Sequence, residues 1–147
     1  MKAICLQMRT KVLPGVVESY WFENENIGLV KTLFHRIDIP LEPFDSGLDY
    51  EHQPVDTSFV FDWYQLEVES SACLDGFDLS SENYPDAEAS VYVGCRHNWC
   101  EVKKMTFRSI GTPQFEVVGE LLIHFEDEGV GLDEMFRFET TVAYAGL

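Results

Sequence analysis

Apolar and polar residues alternate along most of this chain, and a period of two is typical of β-strands with one buried face. The clearest run is QFEVVGELLIHFED, in which every second residue from Phe115 to Phe125 is apolar or glycine. The segment EMFRFETTVAYA repeats the pattern and is predicted to turn Phe136, Phe138 and Val142 inward. These two segments are therefore predicted to be neighbouring antiparallel strands, joined by the acidic loop EDEGVGLDE.

The segment SFVFDWYQLEV is a third predicted strand, because it is rich in aromatic and β-branched residues. Its inward apolar positions run from Phe59 to Trp63 and resume out of phase at Leu66 and Val68. A bulge or bend is therefore predicted near Tyr64.

Residues 26–36 fit two kinds of secondary structure equally well. A helix would place Ile27, Val30 and Phe34 on one stripe. A strand would instead turn Ile27, Leu29 and Leu33 inward, so the periodicity leaves the choice between helix and strand open.

Length and composition agree with one folded domain. The chain has 147 residues, of which 46% are hydrophobic and 14% aromatic, far from a disordered composition. No apolar run approaches the ~18 residues of a transmembrane helix, and the first residues lack the apolar core of a secretory signal. We therefore expect a cytoplasmic, mainly β single domain over residues 1–147, with an antiparallel, sandwich-like sheet and room for one helix; an α+β fold is the alternative.

The segment VYVGCRHNWCEV contains the densest group of potential metal ligands. A two-residue turn at His97 and Asn98 would place Cys95 opposite Cys100 on one face of a hairpin. A bulge at residues 103–104 would then keep the following strand in phase with the core.

Three interpretations of this hairpin compete. As a metal site, Cys95, His97 and Cys100 are one ligand short of a closed zinc centre. A disulfide would be strained, and a reducing cytoplasm opposes it. Packing of two small apolar thiols against the core requires no further assumption and is preferred, so the prediction includes no metal and no cofactor.

Charge is the strongest compositional signal. The chain has 26 acidic and 10 basic residues, a net charge of -16, and no Lys or Arg lies between Arg36 and Arg96. Such a field repels nucleic acid and anionic membranes and attracts cationic partners. We therefore predict a basic protein as the partner, and neither nucleic acid nor membrane.

Motifs for catalysis are not apparent in the sequence. It has no G-x-S-x-G, H-E-x-x-H, P-loop or G-x-G-x-x-G pattern, so no catalytic residue is predicted and an enzyme is not favoured. The loop FEDEGVGLDEMF also lacks the spacing of an EF-hand calcium loop.

The favoured hypothesis is an immunity-type inhibitor that neutralises a basic toxin or nuclease through electrostatic protein–protein binding. Two long polar segments, 42–57 and 71–87, are expected to supply the interface through Asp45, Asp49, Glu51, Asp56, Asp75 and Asp78. A competing acidic patch is predicted at Glu126, Asp127, Glu128, Asp133 and Glu134. The alternative function is a ligand- or metal-binding barrel or sandwich, or an enzyme, with a pocket at one end.

Overall fold

The structure, a computed structural model, describes residues 1–66, 74–111 and 113–146, so the predicted inward position of Val68 lies outside the described residues. Within these ranges the chain forms one short helix, two 3₁₀ turns (Glu25–Ile27 and Phe125–Glu128) and seven strands. The helix and strands are α1 (Leu6–Arg9), β1 (Gly15–Asn24), β2 (Leu29–Pro40), β3 (Ser58–Tyr64), β4 (Glu88–Val93), β5 (Arg96–Gly111), β6 (Gln114–Ile123) and β7 (Glu134–Gly146).

The seven strands close into a barrel in the order of the chain. Sequential neighbours are antiparallel, and β1 pairs in parallel with β7 to close the sheet. The mainly β fold class is thus confirmed, and β6 and β7 are antiparallel neighbours as predicted. The sheet is a barrel rather than a sandwich, because its first and last strands pair with each other.

Aromatic and aliphatic side chains fill the interior of the barrel. The rings of Phe59 and Phe136 are 5.0 Å apart, and Phe61 and Phe138 are 6.4 Å apart. Phe138 lies directly over Gly119, where an added Cβ would be 2.3 Å from the ring. The described core is therefore packed by its own side chains.

Residues 26–36 are mostly strand, since β2 begins at Leu29 and only Glu25–Ile27 form a helical turn. Ile27 is 71% exposed, so its predicted inward position is wrong in either interpretation. The hairpin of β1 and β2 extends past the rest of the sheet, and Ile27 lies at its tip, where no core exists to cover it.

The predicted bend near Tyr64 is confirmed. The pairing of β2 with β3 shifts between His35–Tyr64 and Ile37–Phe61, so β3 contains one extra residue there. Trp63 was predicted to point inward, and this is wrong because the extra residue turns its ring to the outer face, where it packs against other aromatic rings.

The predicted turn between β4 and β5 is also corrected. The turn residues are Gly94 and Cys95, both with positive φ (69° and 59°), and Val93 pairs with Arg96. Two positive φ values are what a type I′ hairpin turn requires, and glycine provides one of them without strain. The predicted bulge after Val102 is confirmed.

Alternating strand directions bring three connections to one end of the barrel: residues 42–57, 94–95 and 124–133. The N-terminal residues cover this end, since Ile4, which precedes α1, and Leu6, its first residue, are buried in the core. We call it the helix end. No helix among the described residues has the length and hydropathy needed to cross a bilayer.

The opposite end carries the tip of the β1–β2 hairpin. In the described residues, β1 pairs with β7 only as far as Glu18, and β2 pairs with β3 only from His35 onward. The outer halves of β1 and β2 therefore project as a two-stranded ribbon, and we call this end the ribbon end.

Candidate functional site

The helix end brings together two loops that the sequence treated as competing patches. The backbone N–H of Gly94 donates to the Glu51 carboxylate at 2.8 Å. A Cβ on Gly94 would lie 2.7 Å from a Val130 methyl carbon and 3.1 Å from the Tyr50 hydroxyl oxygen. Residues 42–57 and the β6–β7 loop therefore meet at the β4–β5 turn and share one acidic end.

Two of the predicted partner-binding carboxylates are used inside the fold. Glu51 is buried, and its second oxygen accepts a hydrogen bond from the Ser46 hydroxyl at 2.7 Å. Glu134 accepts hydrogen bonds from the backbone N–H groups of Leu6 and Gln7, both at 2.8 Å. Both carboxylates hold a loop or a helix in place, which leaves them poorly available to a partner.

The other predicted carboxylates of the helix end are exposed, and several shape their own loops. The Glu126 and Asp133 side chains each accept a hydrogen bond from the other's backbone N–H at 3.0 Å. Asp127 accepts one from the Trp99 indole, and Asp45 accepts one from Gly47. The exposed set is Asp45, Asp49, Asp56, Glu126, Asp127, Glu128 and Asp133.

Asp75 and Asp78 lie in the segment that approaches the ribbon end and do not join this set. Their carboxylates accept hydrogen bonds from the backbone N–H groups of Ser109 (2.7 Å) and Met105 (3.0 Å). β5 pairs with β4 only over its first five residues. Beyond them, these bonds hold residues 74–81 against the free edge of β5. The two carboxylates thus serve as acceptors for a strand edge.

A second surface at the ribbon end was missed by sequence reasoning. On the outer face of β1, β2 and β3, the Trp63 ring meets Phe22 and Phe34 edge-on, with centroids 5.2 Å and 5.3 Å apart. These rings form the floor of an open groove of about 720 Å³. We call it the aromatic groove, and it is lined by Phe22, Asn24, Ile27, Leu29, Phe34, Trp63, Gln65 and residues 83–88.

The backbone at the centre of this groove is held in an unusual conformation. Trp63 has φ of 64°, in the left-handed region that a bulky residue adopts at a cost of about 1–3 kcal/mol. The Asp62 carboxylate stabilises it by accepting hydrogen bonds from the Trp63 backbone N–H (2.7 Å) and the Tyr20 hydroxyl (2.6 Å). Burial and the bond to Asp62 raise the pKa of Tyr20, which keeps its proton on the hydroxyl that donates this bond.

One sequence signal points to this groove in retrospect. Tyr20 and Phe22 are the aromatic residues on the outer face of β1, where a barrel strand normally carries polar residues. Phe34 continues the same face on β2, opposite Tyr20. Aromatic residues at the outward positions of a strand therefore indicate a surface that packs against something other than the core.

Cys95, His97 and Cys100 do not converge. Cys95 is exposed in the turn, whereas Cys100 is buried in the core, and burial raises the pKa of its thiol. The His97 ring packs instead against Tyr92 at 4.7 Å. Because the turn lies at Gly94 and Cys95, the two thiols are not cross-strand partners. In the described residues, no three His, Cys, Asp or Glu side chains form a metal-binding group.

The four aromatic residues of segments 42–57 and 74–87, which are Phe44, Tyr50, Phe77 and Tyr84, divide between the core and the surface. Phe44 is buried, and Phe77 and Tyr84 pack against the core. Tyr50 is 59% exposed at the helix end. Three of these rings therefore hold their loops on the barrel, and Tyr50 remains accessible to a partner.

The carboxylates of residues 42–57 and of the β6–β7 loop have no Lys or Arg counter-ion within the described residues. Arg9 approaches residues 42–57 but donates to the backbone oxygen of Asp45 at 2.9 Å, not to its carboxylate. Every described ion pair that involves Lys or Arg uses a carboxylate on a strand, and these are Asp38, Glu101, Glu116 and Glu120. The exposed carboxylates of these loops are therefore neutralised by no described Lys or Arg, and only Asp133 has a histidine within ion-pair distance, His124 at 3.4 Å.

Comparisons with known proteins do not assign the chain to a family. No protein-family model matches it, and no curated protein or solved structure matches it either. Its function must therefore be argued from charge and geometry.

Proposed function

We propose that this chain is a small acidic cytoplasmic protein that binds and neutralises a basic protein, in the manner of an immunity protein that blocks a toxin or nuclease. One observation carries the proposal: the described carboxylates of the two helix-end loops, residues 42–57 and the β6–β7 loop, have no Lys or Arg counter-ion of their own chain. A cationic protein surface supplies the missing charges.

The physical advantage of this arrangement is fast capture. A net charge of -16 steers a basic partner toward the protein. Electrostatic steering raises association rate constants from about 10⁵–10⁶ to about 10⁸–10⁹ M⁻¹s⁻¹ at low salt. An inhibitor of a toxin benefits from such speed, because the toxin acts until it is bound.

The alternative, a ligand-binding barrel with an end pocket, fits these observations less well. Ile4 and Leu6 cover the helix end, and aromatic side chains such as Phe59 and Phe136 fill the barrel. The aromatic groove at the ribbon end lies on the outer face of the sheet and is not a pocket of the barrel interior.

The experiment begins with capture of the partner from source cells at low salt and its release at high salt. The captured protein is then purified, and its association rate with this chain is measured by stopped flow across a salt series. We expect a basic protein, a steep fall of the rate constant with salt, and loss of the partner's activity at a stoichiometric ratio. A neutral or acidic partner, or an association rate that ignores salt, would refute the proposed function.

A further inference from the structure

The aromatic groove has an apolar centre and an anionic rim. Its floor consists of Phe22, Phe34 and Trp63, and its rim includes the exposed carboxylates of Asp86 and Glu88. The lining residues include no Lys or Arg. A surface of this kind is complementary to a segment that carries apolar side chains between cationic ones.

We propose that the aromatic groove is the docking site for an extended cationic segment of the basic partner, in which arginine alternates with apolar residues. This inference rests on the proposed function. The apolar side chains of the segment cover the half-buried rings of Phe22 and Trp63. Its guanidinium groups pair with Asp86 and Glu88 and stack on exposed ring faces, which planar arginine does better than lysine.

A pair of carboxylates, Glu88 on the groove rim and Asp62 next to Trp63, supports a cationic occupant. Asp62 of β3 and Glu88 of β4 are directly opposite each other in the sheet. Like charges in such positions are destabilising. In the described residues neither carboxylate forms an ion pair with Lys or Arg, so a guanidinium group from a partner would relieve their repulsion.

The strained conformation of Trp63 provides a second line of support. A tryptophan whose backbone is in the left-handed region keeps this conformation only where its surroundings hold it, and such backbone strain concentrates at binding sites. Here the Asp62 carboxylate and the rings of Tyr20, Phe22 and Phe34 hold it. The result is a rigid aromatic anchor on the outer face of the sheet, the type of residue that dominates protein interfaces.

The shape of the groove favours a protein segment over a small molecule. Sites for small molecules enclose most of their ligand. This groove is open along its side, and Ile27 at its upper edge is 71% exposed. A peptide backbone can run along such a groove and leave one face in solvent.

The direct test uses a capped hexapeptide of alternating leucine and arginine as the probe. The protein is labelled with 5-fluorotryptophan, and its ¹⁹F spectrum reports separately on Trp21, Trp63 and Trp99. Trp63 lies in the groove, whereas Trp99 is stacked on His124 at the helix end and serves as an internal control. We expect the peptide to shift the Trp63 signal saturably and to leave the Trp99 signal in place.

A matched peptide and matched variants test the charge argument. Replacing every arginine by citrulline keeps the planar shape and removes the charge, and should weaken binding about tenfold. The exposed double variant Asp86→Asn/Glu88→Gln should weaken the arginine peptide about five- to tenfold. The double variant Asp49→Asn/Asp56→Asn removes the same charge from the helix end and should change the affinity by less than about twofold.

A variant of the anchor tests the apolar floor. Trp63→Gly removes the ring and suits the positive φ, so it spares the backbone and should weaken the peptide at least about thirtyfold. Should this variant unfold, the charge variants above still decide the question. A Trp63 signal that does not move, equal affinity for the citrulline peptide, or an unchanged affinity of the Asp86→Asn/Glu88→Gln variant would overturn the docking proposal.

The captured partner separates failure of this inference from failure of the proposed function. With a basic partner, we expect Asp86→Asn/Glu88→Gln to raise the dissociation rate about tenfold, and Asp49→Asn/Asp56→Asn to slow association only. A basic partner that dissociates at the same rate from both variants would refute docking in the aromatic groove and leave the proposed function standing. A partner that is not basic would refute both.

Discussion

Replacement of Glu51 by alanine should destabilise the protein far more than its position in a polar loop indicates. The side chain is buried, and its two carboxylate oxygens accept hydrogen bonds from the Gly94 backbone N–H and the Ser46 hydroxyl at 2.8 Å and 2.7 Å. A hydrogen bond to a charged group contributes about 1.5–3 kcal/mol. Glu51→Ala breaks both and leaves the Gly94 N–H without its acceptor, so we expect a loss of about 3–5 kcal/mol in the free energy of unfolding.

Two further variants make the series quantitative. Glu51→Gln retains an oxygen that can accept from Gly94 but loses the charge, and should cost about 1–2 kcal/mol. Asp49→Ala is the matched control, because this neighbouring carboxylate is exposed, and it should change stability by less than about 0.5 kcal/mol.

The assay is equilibrium unfolding in urea, followed by tryptophan fluorescence and by circular dichroism so that the two-state assumption can be checked. A domain of this size is stable by about 5–15 kcal/mol, so the expected losses are measurable. The reasoning is refuted if Glu51→Ala destabilises no more than Asp49→Ala. In that case Glu51 would be a solvated carboxylate and would return to the set available to a partner.

Three other predictions concern the core. Gly119→Ala should cost about 1–3 kcal/mol in thermal unfolding, because the new Cβ would lie 2.3 Å from the Phe138 ring, and Phe138→Leu in the same chain should recover part of it; no recovery would contradict the clash. Burial lowers the pKa of His35, so the unfolded chain takes up a proton first as the pH falls below about 6.5. The contribution of His35 to stability should therefore be constant above that pH and be lost below it at up to about 1.4 kcal/mol per pH unit, and unfolding curves of His35→Gln should lack this component. A variant with Cys100 as its only cysteine should resist a thiol reagent until denatured, whereas one with only Cys95 should react at once; equal rates would contradict their different burial.

The buried polar chain inside the barrel shows why some of these properties escape sequence analysis. His35 is fully buried, and its Nε2 lies 3.3 Å from the Tyr144 hydroxyl, which is 2.6 Å from the Ser19 hydroxyl. These three residues come from β2, β7 and β1, which meet only where the barrel closes. A polar residue in an alternating segment looks solvated until the strand that covers it is known.

Local pattern alone was enough to predict β6 and β7 with their inward faces, the bend near Tyr64 and the charge. Alternation is a local property, because successive side chains of a strand point to opposite sides, so the pattern around Gly119 and Phe138 was enough to predict β6 and β7. The net charge needs no structure at all.

Contacts between distant segments decide which loops lie together and which carboxylates remain exposed. The Gly94 N–H that binds Glu51 is 43 residues away along the chain, and no local pattern encodes such a distance. The turn at Gly94–Cys95 depends on backbone dihedral angles that shift the hairpin register, and the outward turn of Trp63 depends on one extra residue in β3. Register, closure and burial result from contacts between distant segments, and they determine which charges and rings a partner can reach.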